Sequence, residues 1–412
     1  MNTTQDKAPA YRWVIFLVCF LSLIVGYANM SIWSMSIPSV VEFFGVTETQ
    51  AQLGNSMLFV GYALSSYVLG AYISPRFGQK KAGSLGLILF LIGTFGMQIC
   101  NSFILVLFLR FLQGCGIIWG INVGLTASWF PVKNRGFASG IVGAGLSVGI
   151  GFGGFFASWL WERYGDWRQC IIHGGYVWLV IVILYLVFAK DAPKDLYPSE
   201  SSTVTESKVD SNLNVWTLPG AWLSSLALFC CVWMASGFAA CLPSFLSNYS
   251  YTSAQSGTAL LWNGLIAVAV TPVGGMISDY FISKGVDPLK SRAYCMAFGG
   301  YAVTAVALLL MPALAPVGFA MVILLSLLHG AGGPVANASI GAIPLDLLGS
   351  PVLADKMFGM TCLIGLSGSI LAPPVITAVA NAAGWNAGMY VVAAGAIAGV
   401  IIGVIMPKFK IK

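Results

Sequence analysis

The stretch LRFLQGCGIIWGINVG, from Leu109 to Gly124, places a cation and an amide, Arg110 and Gln113, inside a long apolar run that is rich in glycine. A charged side chain at the centre of a lipid bilayer costs about 3 kcal/mol or more unless it meets water or a polar partner. Arg110 therefore marks either a hydrogen-bonded structural group or a binding site. The composition, the helix pattern and the motifs of the remaining sequence indicate which of these two roles applies.

The composition is that of an integral membrane protein. Hydrophobic residues make up 58% of the 412 residues and charged residues only 8%, with a mean hydropathy of +0.86. A soluble domain carries about 25% charged residues, because water has to solvate its surface. The nine cysteines have no metal-ligand spacing, so we expect packing roles for them and neither a metal nor a cofactor. The formal charge of +6 is scattered over short loops, which indicates membrane topology and no nucleic-acid partner.

Apolar runs of about 20 residues recur along the whole chain and predict an all-α protein with twelve transmembrane helices. The predicted spans are 13–36, 51–73, 82–100, 103–127, 136–160, 169–189, 219–246, 257–278, 293–313, 316–341, 357–380 and 385–406. The first run is long enough to span the bilayer, so we interpret it as a retained helix and not as a removable signal peptide.

A polar break divides the spans into two groups of six. The segment from Asp191 to Asn212 is rich in Ser, Pro and mixed charge and has no apolar period, which is typical of a flexible linker. We therefore expect an N-terminal six-helix bundle over 1–190, a cytoplasmic linker over 191–218 and a C-terminal six-helix bundle over 219–412.

Lys and Arg residues concentrate in alternate loops, on the same side as the N-terminus, the linker and the Lys-rich C-terminal tail. The positive-inside rule then predicts that both termini lie in the cytoplasm. We expect a multi-pass protein of a bacterial inner (cell) membrane, in contact with the lipid bilayer and functional as a monomer.

Short motifs repeat in the same order in the two groups of helices. FLQGCG at Phe111 corresponds to LLHGAG at Leu327, GLS at Gly145 corresponds to GLS at Gly365, and GAYIS at Gly70 corresponds to GMISD at Gly275. The offsets are about 205 to 220 residues, which predicts two parallel six-helix repeats.

On these features the sequence resembles the major facilitator superfamily over essentially its whole length. The family's loop signature G-x-x-x-D-R-x-G-R-R between the second and third helices corresponds here to GAYISPRFGQKK, from Gly70 to Lys81. The family Asp is replaced by Ser74, whereas the second copy keeps an Asp. The resemblance implies a conformational role for six residues of the two copies: Gly70, Arg76, Gly78, Lys80, Lys81 and Asp279. Fixing the topology alone would explain the charges but not the glycines.

Two further signatures support the resemblance. Arg110, Gln113, Gly114 and Gly116 match the family pattern R-x-x-Q-G-x-G in the fourth helix. Gly145 and Gly149 fall at the spacing of a fifth-helix motif associated with exchangers, where they imply a gating role, although ordinary small-residue packing explains them as well.

The stretch WFPVKNRGFASG, from Trp129 to Gly140, is similar to a loop of the oxalate–formate antiporter and related organic-anion transporters. That branch has two cations in its eighth and eleventh helices. Here the corresponding residues are Thr271 in the eighth helix and, by approximate alignment, Cys362 in the eleventh helix. Neither is a cation, so we do not expect a dianion held between two cations.

The fourth and tenth helices carry the polar residues expected to meet at the midplane. At 1.5 Å per residue, Arg110 lies about 13 Å below the loop at Asn101, near the middle of a hydrocarbon core about 30 Å thick. At 100° per residue, a single face of the fourth helix carries Arg110, Gln113, Ile117, Ile121, Gly124 and Ser128. The tenth helix repeats the pattern with Ser326, His329 and Asn337, and His329 aligns with Gln113.

The predicted substrate site consists of Arg110, Gln113, Ser326, His329 and Asn337, to which Tyr27, Trp262 and Asn263 are added as lining residues. For Arg110 the alternative is a structural cation bonded to backbone carbonyls or to Gln113. For His329 it is a satisfied hydrogen bond between helices, and for the aromatic residues it is packing. His329 is also the only side chain near the midplane with a reference pKa near neutrality, so we expect any proton dependence to involve it.

None of the fourteen acidic residues falls inside a predicted span, which excludes the usual buried-carboxylate proton relay and disfavours a cationic substrate. We therefore predict a secondary transporter of a small organic anion, a carboxylate or a sulfonate, that works by alternating access as an exchanger or a symporter. An exporter of hydrophobic drugs is the alternative. An intramembrane lipid-modifying enzyme would need clustered carboxylates or a His pair, which the sequence does not supply, so we expect no enzymatic activity.

Overall fold

The computed structural model describes residues 10–130, 132–193, 196, 214–348 and 351–409. Every element in this part of the chain is helical, and the helices make twelve passes. Most of the predicted linker, at 194–195 and 197–213, lies outside the described residues.

The first six passes are α1 (Arg12–Phe44), α2 (Glu48–Tyr67, continued by Val68–Ile73 and Ser74–Phe77), α3 (Gln79–Gly96), α4 (Phe103–Gly114 and Trp119–Trp129), α5 (Val132–Tyr164) and α6 (Trp167–Phe188). The last six are α7 (Pro219–Ser247), α8 (Ser253–Ser283), α9 (Pro288–Tyr294, Cys295–Ala302 and Val303–Leu314), α10 (Phe319–Leu348), α11 (Pro351–Gly365 and Ser367–Ala383) and α12 (Trp385–Ile405). Val68–Ile73 and Cys295–Ala302 are π-helical, and single 3₁₀ turns occur at Met97–Ile99, Val215–Thr217, Ala315–Val317 and Met406–Phe409.

The passes alternate in direction, so one face of the protein carries the first and last described residues. We call it the terminal face, and we call the face that carries the α1–α2 connection the opposite face. Eleven of the passes are long and apolar enough to cross a membrane. The remaining pass, α2, is more polar because it carries Gln50, Gln52 and Asn55 in its first turns. The predicted all-α architecture of twelve transmembrane helices is confirmed.

The two six-helix repeats are visible in equivalent glycine contacts. A Cβ atom at Gly114 of α4 would lie 1.9 Å from the carbonyl oxygen of Leu58 in α2. At the matching position of the second repeat, a Cβ atom at Gly330 of α10 would lie 2.2 Å from the carbonyl oxygen of Asn263 in α8. The motifs FLQGCG and LLHGAG therefore serve the same purpose in each repeat, because only glycine allows these helix backbones to approach so closely.

The structure corrects the prediction of one continuous fourth helix. The helix ends at Gly114 and resumes at Trp119. Between them, the backbone N of Gly116 donates to the backbone carbonyl oxygen of Gln113, and the backbone N of Ile118 donates to that of Gly116. Gly116 also packs against α3, where an added Cβ atom would lie 2.5 Å from the Cβ atom of Phe90. A rotation of 100° per residue had predicted one shared face for the residues before and after this break. Because the helix is interrupted, they do not share one face.

Several helices are longer than predicted, and their ends include acidic residues that the sequence assigned to loops. The acidic residues on helices are Glu42, Glu48, Glu162, Asp279, Asp346 and Asp355. Each of these residues lies near a helix end. In the described helices, the middle of each membrane-crossing segment remains free of carboxylates.

Candidate functional site

Arg110 lies in the first half of α4 with its guanidinium group inside the N-terminal half of the protein. Its Nε atom donates to the carbonyl oxygen of Gly54 (3.1 Å), one terminal nitrogen donates to Gln113 Oε1 (2.8 Å), and the other donates to Asn55 Oδ1 (3.1 Å). The guanidinium carbon lies 4.9 Å from the ring centroid of Trp33. The side chain is fully buried, so in this conformer protein groups occupy all three guanidinium nitrogens.

A chain of buried amides extends from Arg110 through α2. Asn55 Nδ2 donates to Ser34 Oγ (3.1 Å) and to Gln52 Oε1 (3.0 Å), and Gln52 Nε2 reaches the carbonyl oxygen of Ala240 in α7 (3.4 Å). We call Arg110, Gln113, Asn55 and Gln52 the Arg110 network. The network connects the arginine to a helix of the C-terminal half.

Gln113 is the second predicted residue of this network. Its Oε1 atom accepts from Arg110, and its Nε2 atom donates to Thr94 Oγ1 in α3 (3.0 Å). Gln113 is also fully buried. Arg110 and Gln113 are therefore both bonded within their own half of the protein.

In the second repeat, the residues aligned with this region form a smaller cluster, which we call the His329 network: His329 and Ser326 of α10 with Asn263 of α8. Asn263 Nδ2 lies 2.8 Å from His329 Nδ1 and donates to the carbonyl oxygen of Ser326 at 2.9 Å. The imidazole stacks on Phe238 of α7 with ring centroids 4.0 Å apart and an interplanar angle of 21°. All three members of the network are buried.

The remaining predicted lining residues lie in different places. Asn337 and Trp262 have exposed side chains and do not take part in the His329 network. Tyr27 is buried at the middle of α1, with its ring centroid 6.4 Å from that of Tyr62 in α2. The two tyrosine hydroxyls interact with each other and lie within electrostatic range of the Cys362 thiol of α11. Three helices from both halves therefore meet at mid-depth around Tyr27.

The two halves touch along a set of contacts that extends from the opposite face to mid-depth, which we call the seam. The seam includes the bond from Gln52 to Ala240 and three further hydrogen bonds: Ser56 Oγ to the backbone oxygen of Ile370 (2.5 Å), Asn381 Nδ2 to Thr49 Oγ1 (3.2 Å), and Ala254 N to Glu162 Oε1 (2.9 Å). It also includes glycine contacts between α5 and α8, among them Gly151 against Gly264. A Cβ atom at Gly264 would lie 2.6 Å from the Cα atom of Gly151.

The predicted gating glycines of α5 are not part of the seam. A Cβ atom at Gly145 would lie 3.2 Å from the carbonyl oxygen of Phe20, and one at Gly149 would lie 2.8 Å from that of Ile24. Both contacts are with α1 of the same half. They allow α1 and α5 to pack closely, whereas Gly151 and Gly264 provide the close approach between halves.

The predicted loop signature lies at the terminal face. Gly78 adopts a left-handed φ of 94° beside the carboxylate of Asp191, which accepts a hydrogen bond from the backbone N of Lys80 (2.8 Å). Asp191 thus caps the start of α3. The side chains of Arg76 and Lys81 are exposed, and an added Cβ atom at Gly70 would meet open space.

In the second copy, Asp279 pairs with Arg292 at 3.6 Å, and Arg292 also pairs with Asp346 at 2.7 Å. The glycine of that copy, Gly275, faces open space as Gly70 does. The seam therefore joins the two halves toward the opposite face, whereas at the terminal face a Cβ atom added at either signature glycine would have no described atom within 4 Å.

Sequence reasoning missed Asn55, Gln52 and Tyr62. The signal for the first two was present, because an amide pair at i and i+3 in an apolar helix needs partners on one face. Tyr62 carries no comparable signal among 15 tyrosines. A cavity of about 50 Å³ lies beside it, between α2 and the break in α4, and is lined by Ser65, Ser66, Leu69, Gly70, Ile117, Ile118, Gly120 and Ile121. This volume accommodates one or two water molecules.

Comparison with known proteins agrees with this architecture. The sequence profile of the Major Facilitator Superfamily matches residues 18–339. The chain is 24% identical to the chloroplastic ascorbate transporter of Arabidopsis thaliana over 70% of its own length and 56% of that protein. It is 26% identical to the 4-hydroxybenzoate transporter of Acinetobacter baylyi over 47% of its length and 42% of that protein.

A third similar protein is the hexuronate transporter of Bacillus subtilis, which is 22% identical over 68% of this chain and 66% of that protein. The matches thus span between about two fifths and two thirds of these relatives. The family and these relatives are transporters and not enzymes. The profile match covers more than half of the sequence and the twelve helices repeat in two groups of six, so the chain belongs to the Major Facilitator Superfamily of multi-pass membrane transporters.

Proposed function

We propose that this transporter moves a small organic anion, a carboxylate or a sulfonate, by alternating access. The charge of Arg110 is the observation that carries the proposal. Its partners among the described residues are the Gly54 carbonyl, two side-chain amides and an indole ring, all of them neutral. A buried cation without a counter-ion makes its surroundings attractive to an anion.

The size of this attraction can be estimated. At roughly 10 Å and an effective dielectric constant of about 20, a unit positive charge stabilises a monoanion by about 1.7 kcal/mol. The guanidinium need not touch the solute to have this effect. The names of the similar proteins support the same solute class, because ascorbate, 4-hydroxybenzoate and hexuronates are all organic acids.

We propose that the solute binds at mid-depth between the halves, where Tyr27, Tyr62 and Cys362 converge and the His329 network approaches from α10. Phenolic hydroxyls can donate hydrogen bonds to a carboxylate oxygen. In the transport cycle the halves would rock about this level. The seam would open as the loop signatures of the terminal face, including Arg76, Lys80, Lys81 and Asp279, come together.

The orientation and cellular location belong to the same proposal. The Lys and Arg asymmetry of the loops supports a cytoplasmic terminal face, and with the seam closed we propose that this conformer is inward-facing. We propose a cell-membrane protein that works as a monomer, with both termini and the linker in the cytoplasm.

Uptake into proteoliposomes tests the solute class. We expect the wild-type protein to accumulate at least one of ascorbate, 4-hydroxybenzoate and glucuronate in counterflow, and to leave lipophilic cations untouched. We expect Arg110→Gln to reduce the affinity for that acid. Arg168→Gln is the matched control, because Arg168 is also hydrogen-bonded to neutral partners, at Cys100 and Asn101, but lies at the opposite face. Transport of lipophilic cations without any acid would favour a drug exporter and refute the proposal.

A further inference from the structure

The contact between Asn263 and His329 determines where the imidazole can carry its proton. The carbonyl oxygen of Ser326 can only accept a hydrogen bond, so the Asn263 side chain has to present its NH₂ group to it, at 2.9 Å. The same nitrogen lies 2.8 Å from His329 Nδ1 and supplies its second hydrogen there. Reversing the amide would instead place Oδ1 against the Ser326 carbonyl oxygen, with two acceptors in contact.

A ring nitrogen that accepts a hydrogen bond carries no proton, so the neutral imidazole must be protonated at Nε2. Adding a second proton at Nδ1 would place two hydrogen-bond donors, Nδ1–H and the Asn263 NH₂ group, against each other. The contact therefore disfavours the imidazolium form of His329 on hydrogen-bonding grounds alone.

Among the described residues of the elements packed around His329, no charged side chain acts on the imidazole. The described residues of α7 include no charged side chain, and its Cys231 directs the thiol to the carbonyl oxygen of Gly333. At the terminal face Arg292 of α9 pairs with Asp279 of α8 and with Asp346 of α10, and Lys290 of α9 lies over the ring of Tyr294. Tyr301 of α9 donates to the carbonyl oxygen of Ala227, and the Cys362 thiol of α11 faces the two tyrosines.

The proton on Nε2 remains available to an acceptor. Among the described residues Nε2 has no hydrogen-bond partner of acceptable geometry, and the backbone of Met234 makes only a poorly aligned polar contact with His329. Ser326 Oγ, one turn away on the same helix, is also buried without a hydrogen-bond partner. Two buried groups able to donate hydrogens thus lie next to each other on α10, and a carboxylate oxygen is the complementary group.

We propose that Asn263 is a positioning residue that holds His329 in the neutral Nε2–H tautomer, so that His329 donates a hydrogen bond to the transported anion and does not carry a proton. The second half of this statement rests on the proposed function, whereas the tautomer itself does not. His329 then contributes the same chemistry throughout the cycle, and transport of the anion needs no protonation at this position.

The tautomer can be observed directly, because the sequence contains only two histidines. His173→Gln leaves His329 as the single imidazole, and His173 lies at the opposite face, stacked on Tyr164. We expect ¹⁵N NMR of the histidine-labelled protein in lipid to show a pyridine-type Nδ1 and a pyrrole-type Nε2 from pH 6 to pH 8. A protonated Nδ1 or an imidazolium signal in this range would overturn the assignment, whether or not any solute is known.

Asn263→Asp tests the positioning role, because it keeps the side-chain shape but presents an acceptor to Nδ1. We expect the NMR signal to change to a protonated Nδ1 in this variant. Asn122→Asp is the control: Asn122 is a buried amide of the N-terminal half, bonded to Cys19 and Ser22, and its replacement should leave the His329 spectrum unchanged. An Asn263→Asp spectrum identical to the parent would refute the positioning role.

Uptake of ascorbate, 4-hydroxybenzoate and glucuronate then separates donation from proton transfer. His329→Gln retains a neutral N–H donor and cannot titrate, so we expect it to keep at least half of the wild-type uptake with the same pH profile. His329→Phe keeps the stacking on Phe238 and removes the donor, so we expect at least a fivefold loss of affinity. Equal losses in the two variants would refute the donor role. If the tautomer is as expected but none of the acids is transported, the proposed function fails and the tautomer assignment stands.

Discussion

Replacing Arg110 by Lys separates the charge of the arginine from its hydrogen bonds. Arg110 makes three bonds of 2.8 to 3.1 Å to three different acceptors and lies 4.9 Å from the ring of Trp33. An ammonium group is a single point of donation on a flexible stem and cannot reproduce this planar arrangement. At least one of the Gly54 oxygen, Asn55 Oδ1 and Gln113 Oε1 would therefore lose its donor.

The expected cost follows from these contacts. A buried acceptor left without a partner costs about 1–3 kcal/mol, and a weakened cation–π contact adds about 0.5–1 kcal/mol. We expect Arg110→Lys to lower the free energy of unfolding by about 1.5–4 kcal/mol. The charge stays in place, so the attraction of about 1.7 kcal/mol at roughly 10 Å is retained. The affinity of the folded protein for its anion should then change by less than about threefold.

Arg110→Gln should show the complementary behaviour, because it removes the charge. Losing about 1.7 kcal/mol of attraction corresponds to a decrease in affinity of about fifteenfold. Thermal stability and anion affinity would be measured on the same purified samples, with Arg168→Lys as the control at the opposite face. Lost affinity with unchanged stability in Arg110→Lys would show that the guanidinium contacts the solute directly. Unchanged affinity in Arg110→Gln would refute any role of the charge.

Three further expectations concern the seam and the topology. Gln52→Leu removes the bond to the Ala240 carbonyl and should destabilise the seam by about 1 kcal/mol, which raises the population with an open opposite face about fivefold. The rate of alkylation of a cysteine introduced at Thr49 measures this population. The control Gln98→Leu removes a bond within the N-terminal half and should leave the alkylation rate unchanged. Gly264→Ala would place a methyl group 2.6 Å from the Gly151 Cα atom and should impair both closure of the seam and counterflow. Gly275→Ala, at a position that faces open space, should leave both unchanged. Equal effects of the two variants would contradict a role of Gly264 in closing the seam. Reporter fusions at Lys412 and Ser202 should both give cytoplasmic signals, and an extracellular signal at either position would reverse the proposed orientation.

Residue spacing alone predicts one part of the buried polar contacts. A mid-membrane arginine and its i+3 glutamine were recognisable as partners from their spacing alone, and the Arg110–Gln113 bond is present. The equivalence of FLQGCG and LLHGAG was also recognisable, because close helix packing demands glycine at the same place in each repeat. The other acceptors of Arg110 lie on α2, more than fifty positions away, and no local pattern specifies which helix packs against which.

The membrane class, the twelve helices and the twofold repeat were determined by the sequence by itself, since they depend on hydropathy, segment length and motif order, which are properties of the chain. Only the tertiary structure decided that α4 breaks before Trp119, that Gly145 and Gly149 pack within one half, and that Gly151 and Gly264 meet across the seam. It also decided that Asn263 faces His329 with its NH₂ group, because the Ser326 carbonyl holds the amide in that orientation. These outcomes depend on the relative rotation and depth of neighbouring helices. Those quantities are set by the fit of many side chains together and leave no periodic signal in the sequence.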